Sequence, residues 1–238
     1  MKQLIAVLAV SGLASTALGD ARARVFHASP DAPNVDVYVN DGLAFGNLAF
    51  GLSTAYASLP GADYNFKVRP AGLDNPVVID ADASLASGVD YTIAAIGTLG
   101  GGTLAPLILI DDNSLNADFA RVRFVHASPD APAVDIAVQG GPVLFSSIAF
   151  ADFGNYLNVG PGSYDLEVRV AGTTNVVLSL AGITFDANTV YTVWALGFAA
   201  SPGGPGLSAA ITVDAVIPAP GAIGLLAAAG LLAARRRR

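Results

Sequence analysis

The heptapeptide His-Ala-Ser-Pro-Asp-Ala-Pro occurs twice in this chain, at His27–Pro33 and at His126–Pro132, 99 residues apart. The flanks match as well: Arg24-Val25-Phe26 precedes the first copy and Arg123-Phe124-Val125 the second. The correspondence then runs through Val35-Asp36-Val37 with Val134-Asp135-Ile136, Phe45 with Phe145, Phe50 with Phe150, Tyr56 with Tyr156, Tyr64 with Tyr164, Tyr91-Thr92 with Tyr191-Thr192, and Gly97 with Gly197. A repeat of about 100 residues is long enough for a complete domain. The sequence therefore predicts one fold built twice, over residues 20–117 and 118–215.

Within each unit the apolar residues recur with a period of two. Val35, Val37 and Val39 alternate with Asp36 and Tyr38, and Tyr64, Phe66 and Val68 alternate with Asn65, Lys67 and Arg69. That period puts one face of a strand in a core and the other in water. Turn-forming groups separate the runs, among them Asn40-Asp41-Gly42, Pro60-Gly61 and Gly140-Gly141-Pro142. The pattern gives about seven short strands per unit and no sustained helical period. The expected fold is all-β: two tandem antiparallel β-sandwich modules, immunoglobulin-like or transthyretin-like, plus a C-terminal apolar helix. One continuous barrel is the less natural alternative for a repeat of this length. With no cysteine in 238 residues, packed apolar cores rather than disulfides must hold the modules together.

The two ends read as addresses. Lys2, the apolar run Leu4–Val10 and the small residues through Ala17-Leu18-Gly19 form a secretory signal over 1–19, with signal peptidase cutting before Asp20. At the other end, 216–238 holds a proline motif, an uncharged stretch to Ala234 and four terminal arginines. As a helix, Val216–Ala234 would extend about 28 Å, close to the thickness of a bilayer core. Arg235–Arg238 would then remain in the cytoplasm and the body would lie outside. Without its ends, the chain has seven basic against nineteen acidic residues, a net of −12. Such a body repels nucleic acid, so no nucleic-acid partner is expected.

The tail, with Pro218, Ala219 and Pro220 ahead of the apolar stretch and Arg235, Arg236, Arg237 and Arg238 after it, resembles the PEP-CTERM sorting signal of bacterial exosortase systems. It departs from that signal at Ala219, where the motif carries a glutamate. The resemblance implies an exosortase-type sorting enzyme as partner, a transient membrane anchor, and transfer of the body to the cell surface or matrix. The body, on Arg24–Pro33 with Val35-Asp36-Val37 and Arg123–Pro132 with Val134-Asp135-Ile136, resembles the secreted family called domain of unknown function 4397. That resemblance implies an extracytoplasmic β-sandwich, commonly repeated, and no catalytic residues.

The candidate chemistry is sparse. His27, Asp31 and Asp36, with His126, Asp130 and Asp135, are potential metal ligands or acid–base groups. Their spacing suits a structural turn better: Ser29 and Asp31 would bond nearby amides, Pro30 and Pro33 would end the strand, and the histidine would hold the turn. His27, Asp31 and Pro33, with His126, Asp130 and Pro132, are accordingly expected to form a repeated structural motif. Asp112, Ser114, Asn116 and Asp118 alternate as calcium loops do, but lack the glycine and glutamate of an EF-hand and fall where a linker is due. The glycine-rich runs Gly100–Gly102 and Gly203–Gly206 are expected to be hairpin loops. Trp194, in a run apolar on both faces, is expected in the core rather than as a sugar platform. Arg24, Arg69, Arg123 and Arg169 are expected to pair with carboxylates, each contributing only about 0–1 kcal/mol if exposed. The functional expectation is a non-enzymatic exported protein of the cell surface or extracellular matrix with no cofactor. The alternative is a module binding polysaccharide or cell wall, aided by calcium; a hydrolase using His27 or His126 is the weakest reading.

Overall fold

The alternating runs become strands with one buried face, whereas the runs apolar on both faces become strands with two. In the computed structural model, residues 19–200 and 204–216 are described. The first module contains β1 (Ala21–His27), β2 (Val35–Val39), β3 (Gly42–Leu48), β4 (Ala57–Leu59), β5 (Ala62–Pro70), β6 (Ile79–Leu85), β7 (Asp90–Ile96) and β8 (Ala105–Asp111). The second contains β9 (Ala120–His126), β10 (Val134–Val138), β11 (Val143–Ile148), β12 (Leu157–Val159), β13 (Gly162–Val170), β14 (Val176–Phe185), β15 (Thr189–Leu196) and β16 (Ser208–Val216). Each module thus has eight strands, one more than the alternation suggests, because the three-residue β4 and β12 are too short to show a period.

Each module is a pair of four-stranded sheets, ordered β3-β2-β5-β6 and β4-β1-β7-β8 in the first, and β11-β10-β13-β14 and β12-β9-β15-β16 in the second. The heptapeptide is the corner at which the chain leaves β1 for β2 in the opposite sheet. The fold is not wholly antiparallel as expected: β1 runs parallel to β7, from Arg22 beside Asp90 to His27 beside Ala95, and β9 runs parallel to β15. Alternation carries no strand direction. Because the corner carries the chain across the sandwich instead of back in a hairpin, β1 is free to lie alongside β7 in the same sense. Parallel pairs of this kind belong where both faces of a sheet are covered.

Both faces are covered. On one side lies the module's own core, which in the first module includes Val25, Val37, Phe66, Ile79, Leu85 and Ile93. The second module's core is built from Phe124, Ile136, Phe145, Leu166, Phe185 and Val193 at comparable places. On the other side the two modules meet in a third core, where Phe26, Ala28, Ala94, Ile96 and Leu109 of the first pack on Val125, Ala127, Trp194 and Leu196 of the second. The four sheets therefore stack as four layers, with the two that contain the parallel pairs innermost. Phe26 and Trp194 stack across the junction with ring centroids 4.1 Å apart and an interplanar angle of 14°. Such a pair contributes about 0.5–1.5 kcal/mol beyond the burial of its surface. Trp194 is in a core, as its sequence context indicates, but the core is the one between modules.

Two turns are fixed by local chemistry. Asn40 and Asp41 both take positive φ, 48° and 66°, closing the β2–β3 hairpin with the twist that two-residue loops require. Gly97 and Gly197 follow β7 and β15 at φ 85° and 82°, and a Cβ at either would lie within 2.3 Å and 2.1 Å of a carbonyl oxygen. The signal segment before Gly19, and the tail with Pro218, Ala219, Pro220, Arg235–Arg238 and the expected apolar helix, lie outside the described residues. Among the described residues no helix is long and apolar enough to cross a membrane.

Candidate functional site

His27 is buried at the end of β1, with its Nε2 donating to the Pro33 carbonyl at 3.0 Å, and His126 repeats the bond to Pro132 at 3.0 Å. The proton therefore sits on Nε2. In the second module Nδ1 accepts from the Ser128 amide at 3.3 Å. Phe50 and Phe150 meet the imidazoles edge-on. Burial pulls both histidines below their ordinary pKa, so both are neutral near pH 7. Ala28 and Ala127, next in the motif, face the core between modules.

Asp31 does not bond the nearby amides as its position in a turn suggests. Its carboxylate accepts from the Leu99 and Gly100 amides at 2.7 and 2.8 Å, fastening the corner to the loop after β7. Asp130 does the same with the Ala199 and Ala200 amides at 2.6 and 3.0 Å. The buried Asp36 in turn accepts from the Asn47 and Gly72 amides at 2.7 and 2.8 Å, and Asp135 from those of Ser147 and Gly172 at 2.7 and 2.9 Å. All six candidate ligands thus serve as ties between segments. Among the described residues no group of three or more acidic or imidazole side chains is placed to hold a metal ion.

The charged centre lies elsewhere, between the modules. Arg24 donates from Nε to Thr92 at 2.8 Å and from Nη2 across the junction to Asp214 at 2.5 Å. Arg123 donates from Nε to Thr192 at 2.8 Å and from Nη2 back across the junction to Asp111. Asp111 also accepts from Thr92 and Tyr56, both at 2.6 Å, and Asp214 from Thr192 at 2.5 Å and Tyr156 at 3.3 Å. Each guanidinium lies over the tyrosine of its own module, Arg24 at 4.8 Å from the Tyr56 centroid and Arg123 at 4.9 Å from that of Tyr156. Burial raises both phenols, keeping them protonated as donors. The result is a reciprocal clasp of two arginines and two aspartates. Arg24 and Arg123 pair with carboxylates as expected, but both are buried and both reach the other module, so the small contribution of an exposed pair does not apply.

The remaining candidates fall into lesser roles. Arg169 pairs with Glu167 at 2.6 Å, and Arg69 lies over the Tyr38 ring at 4.2 Å. Arg121 donates to the Asp112 carboxylate at 2.7 Å and to the Asp112 and Ser114 carbonyls at 3.1 and 2.8 Å. The guanidinium thus engages the Asp112 carboxylate, the first oxygen group of the alternating set, and pins the start of the linker between β8 and β9. Gly100–Gly102 lies in the β7–β8 hairpin loop.

The class defined by this arrangement is a protein of tandem eight-stranded β-sandwiches, joined face to face through a repeated corner motif. The model of the family described as a domain of unknown function (DUF4397) matches residues 21–137 and again 120–222, and the chain belongs to that family. Among solved structures, a family-26 carbohydrate-binding module of Eubacterium rectale Amy13K, in complex with maltoheptaose, aligns at a TM-score of 0.29 and 9% identity, over 83% of this chain and 98% of that one. A comparison with curated proteins finds no match.

Two outcomes test the geometry. Arg24→Met leaves Asp214 charged and buried without its main partner, and should cost about 3–5 kcal/mol in urea unfolding. Adding Asp214→Asn removes the stranded charge while keeping its hydrogen-bond acceptor, and should restore more than half of that loss. A single variant within about 1 kcal/mol of the parent would deny the clasp its weight. The histidines set a pH dependence. Their folded pKa values lie below the unfolded value of about 6.5, so the unfolded chain binds more protons in this range. Stability is full above about pH 7 and is lost as pH falls through 6.5. The urea midpoint should fall from pH 7.5 to 5.5, and the fall should shrink in a His27→Gln, His126→Gln variant; an unchanged fall would assign it to other groups.

Proposed function

We propose that this chain is a non-catalytic exported protein of the cell surface or extracellular matrix, whose two modules act as one rigid body. The observation that carries the reading is the fate of the reactive side chains. Both histidines, Asp31, Asp36, Asp130 and Asp135 are spent on ties within a module, and Arg24, Arg123, Asp111 and Asp214 on the clasp between modules. A catalytic group must instead meet substrate at an accessible cleft with its acid or base function available. Export rests on the signal-like segment 1–19, and sorting on Pro218, Ala219, Pro220 and the terminal Arg235–Arg238, with signal peptidase and an exosortase-type enzyme as processing partners. The acidic body supports a setting in which like-charged molecules stay apart.

Fractionation combined with mass spectrometry of the mature protein tests this. The expected product begins at Asp20, lacks the arginine cluster and is recovered from the cell surface or medium. An intact chain of 238 residues in the cytoplasm would overturn the reading. A second reading, a module binding polysaccharide or cell wall, is favoured by one feature: an open groove at the module junction lined by aromatic and amide side chains.

A further inference from the structure

The clasp relates the two modules by an approximate two-fold, so every feature at the rim of the junction has a counterpart. The register fixes the counterparts. Phe153 pairs with Val125 as Ser53 pairs with Phe26, and Ile110 lies beside Tyr91 as Val213 lies beside Tyr191. By the same register Asn155 corresponds to Ala55, and Asp112, next after the clasp residue Asp111, to Ala215, next after Asp214. What the modules share is framework. What they do not share at these places is an aromatic ring, an amide and a carboxylate, all at one rim.

Those three groups line one groove of 340 Å³, together with Ile110, Arg121 and Tyr156. Its size is at the lower end for small-ligand sites, and junctions between domains are where such sites are found. Phe153 and Ile110 are 46% and 67% exposed, so two large apolar side chains stand in water there. The polar side is held in advance: Arg121 is fixed by the Asp112 carboxylate and two linker carbonyls, and lies 5.1 Å from the Tyr156 ring centroid. The exposed Asn155 side chain makes no hydrogen bond among the described residues. Groups already held in place lose little entropy on binding.

We infer that this groove binds a neutral sugar unit of a polysaccharide, an inference that rests on the second reading above and not on export or sorting. A pyranose offers a C–H face and a rim of hydroxyls, each both donor and acceptor. The C–H face suits Phe153 and Ile110, and the hydroxyl rim suits adjacent donors on Arg121 and Asn155 and an acceptor on Asp112. Charge selects among sugars. Arg121 and Asp112 neutralise one another, and a body with nineteen acidic residues repels uronic acid polymers. At the counterpart rim Ser53, Ala55, Val213 and Ala215 stand where this groove has Phe153, Asn155, Ile110 and Asp112, and Arg22 there is held by Asp90, so one site of this composition per chain is expected.

Affinity electrophoresis of the full chain through gels containing dextran, glucomannan, xylan or alginate tests the inference. Retardation is expected in at least one of the three neutral gels and not in alginate. Phe153→Ser and Asn155→Ala install the residues that the first module carries at these places, so the fold accommodates them, and each should weaken retention about tenfold. Circular dichroism should match the parent. No retardation in any neutral gel, equal retardation in alginate, or unchanged retention in the Phe153→Ser, Asn155→Ala double variant would overturn it. Any of these results leaves the reading of an exported surface protein standing, because that reading is tested by location.

Discussion

Arg24 and Arg123 leave water at the centre of the molecule, and each is charge-paired only because the other module supplies an aspartate. Drawing a guanidinium and a carboxylate into a low-dielectric junction costs several kcal/mol per ion, and direct attraction offsets it only when the other hydrogen-bonding positions are filled. Here they are filled by Thr92, Thr192, Tyr56 and Tyr156. The rest of the architecture depends on this. Strands β1, β7, β9 and β15 are buried along almost their whole length, and the parallel pairs they form sit where neither face meets solvent. Removing the partner module would expose Phe26, Trp194, Leu109 and Leu196 and leave four buried charges unsatisfied.

The polar clasp is symmetric, and the apolar contact around it is not. In the first module the large Phe26 lies beside the small Ala94; in the second the small Val125 lies beside the large Trp194. One side of the junction therefore stacks two aromatic rings, and the symmetry-related side carries Val125 and Ala94. A module paired with a copy of itself would place Phe26 opposite Ala94, or Val125 opposite Trp194, on both sides. The size mismatch selects pairing of the first module with the second, while the shared arginines and aspartates fix the register.

Much of this was legible in the sequence. The duplicated heptapeptide and an offset that stays at 99 or 100 announce two equal modules, and alternation in Val35–Val39 and Tyr64–Arg69 marks half-buried strands. Strand direction was not legible, since a period of two is the same in parallel and antiparallel pairs. Nor was the reach of Asp31, whose amide partners Leu99 and Gly100 lie nearly seventy residues on and carry no side-chain signal. The clasp left a trace that is clear only in retrospect. Arg24 and Arg123 sit in largely apolar strands, Asp111 ends one apolar strand and Asp214 lies near the end of another, and Tyr191–Gly197 is apolar on both faces, as a strand covered by a second module must be. The groove was legible only as a departure from the repeat, at Phe153 and Asn155.

The central claim is that the two modules form one cooperative unit through the clasp and the shared core. Differential scanning calorimetry of the intact chain tests it most directly, by the ratio of calorimetric to van't Hoff enthalpy. The account predicts a single transition with a ratio of about one. Two transitions, or a ratio of about two, would mean that the modules unfold independently and would contradict it.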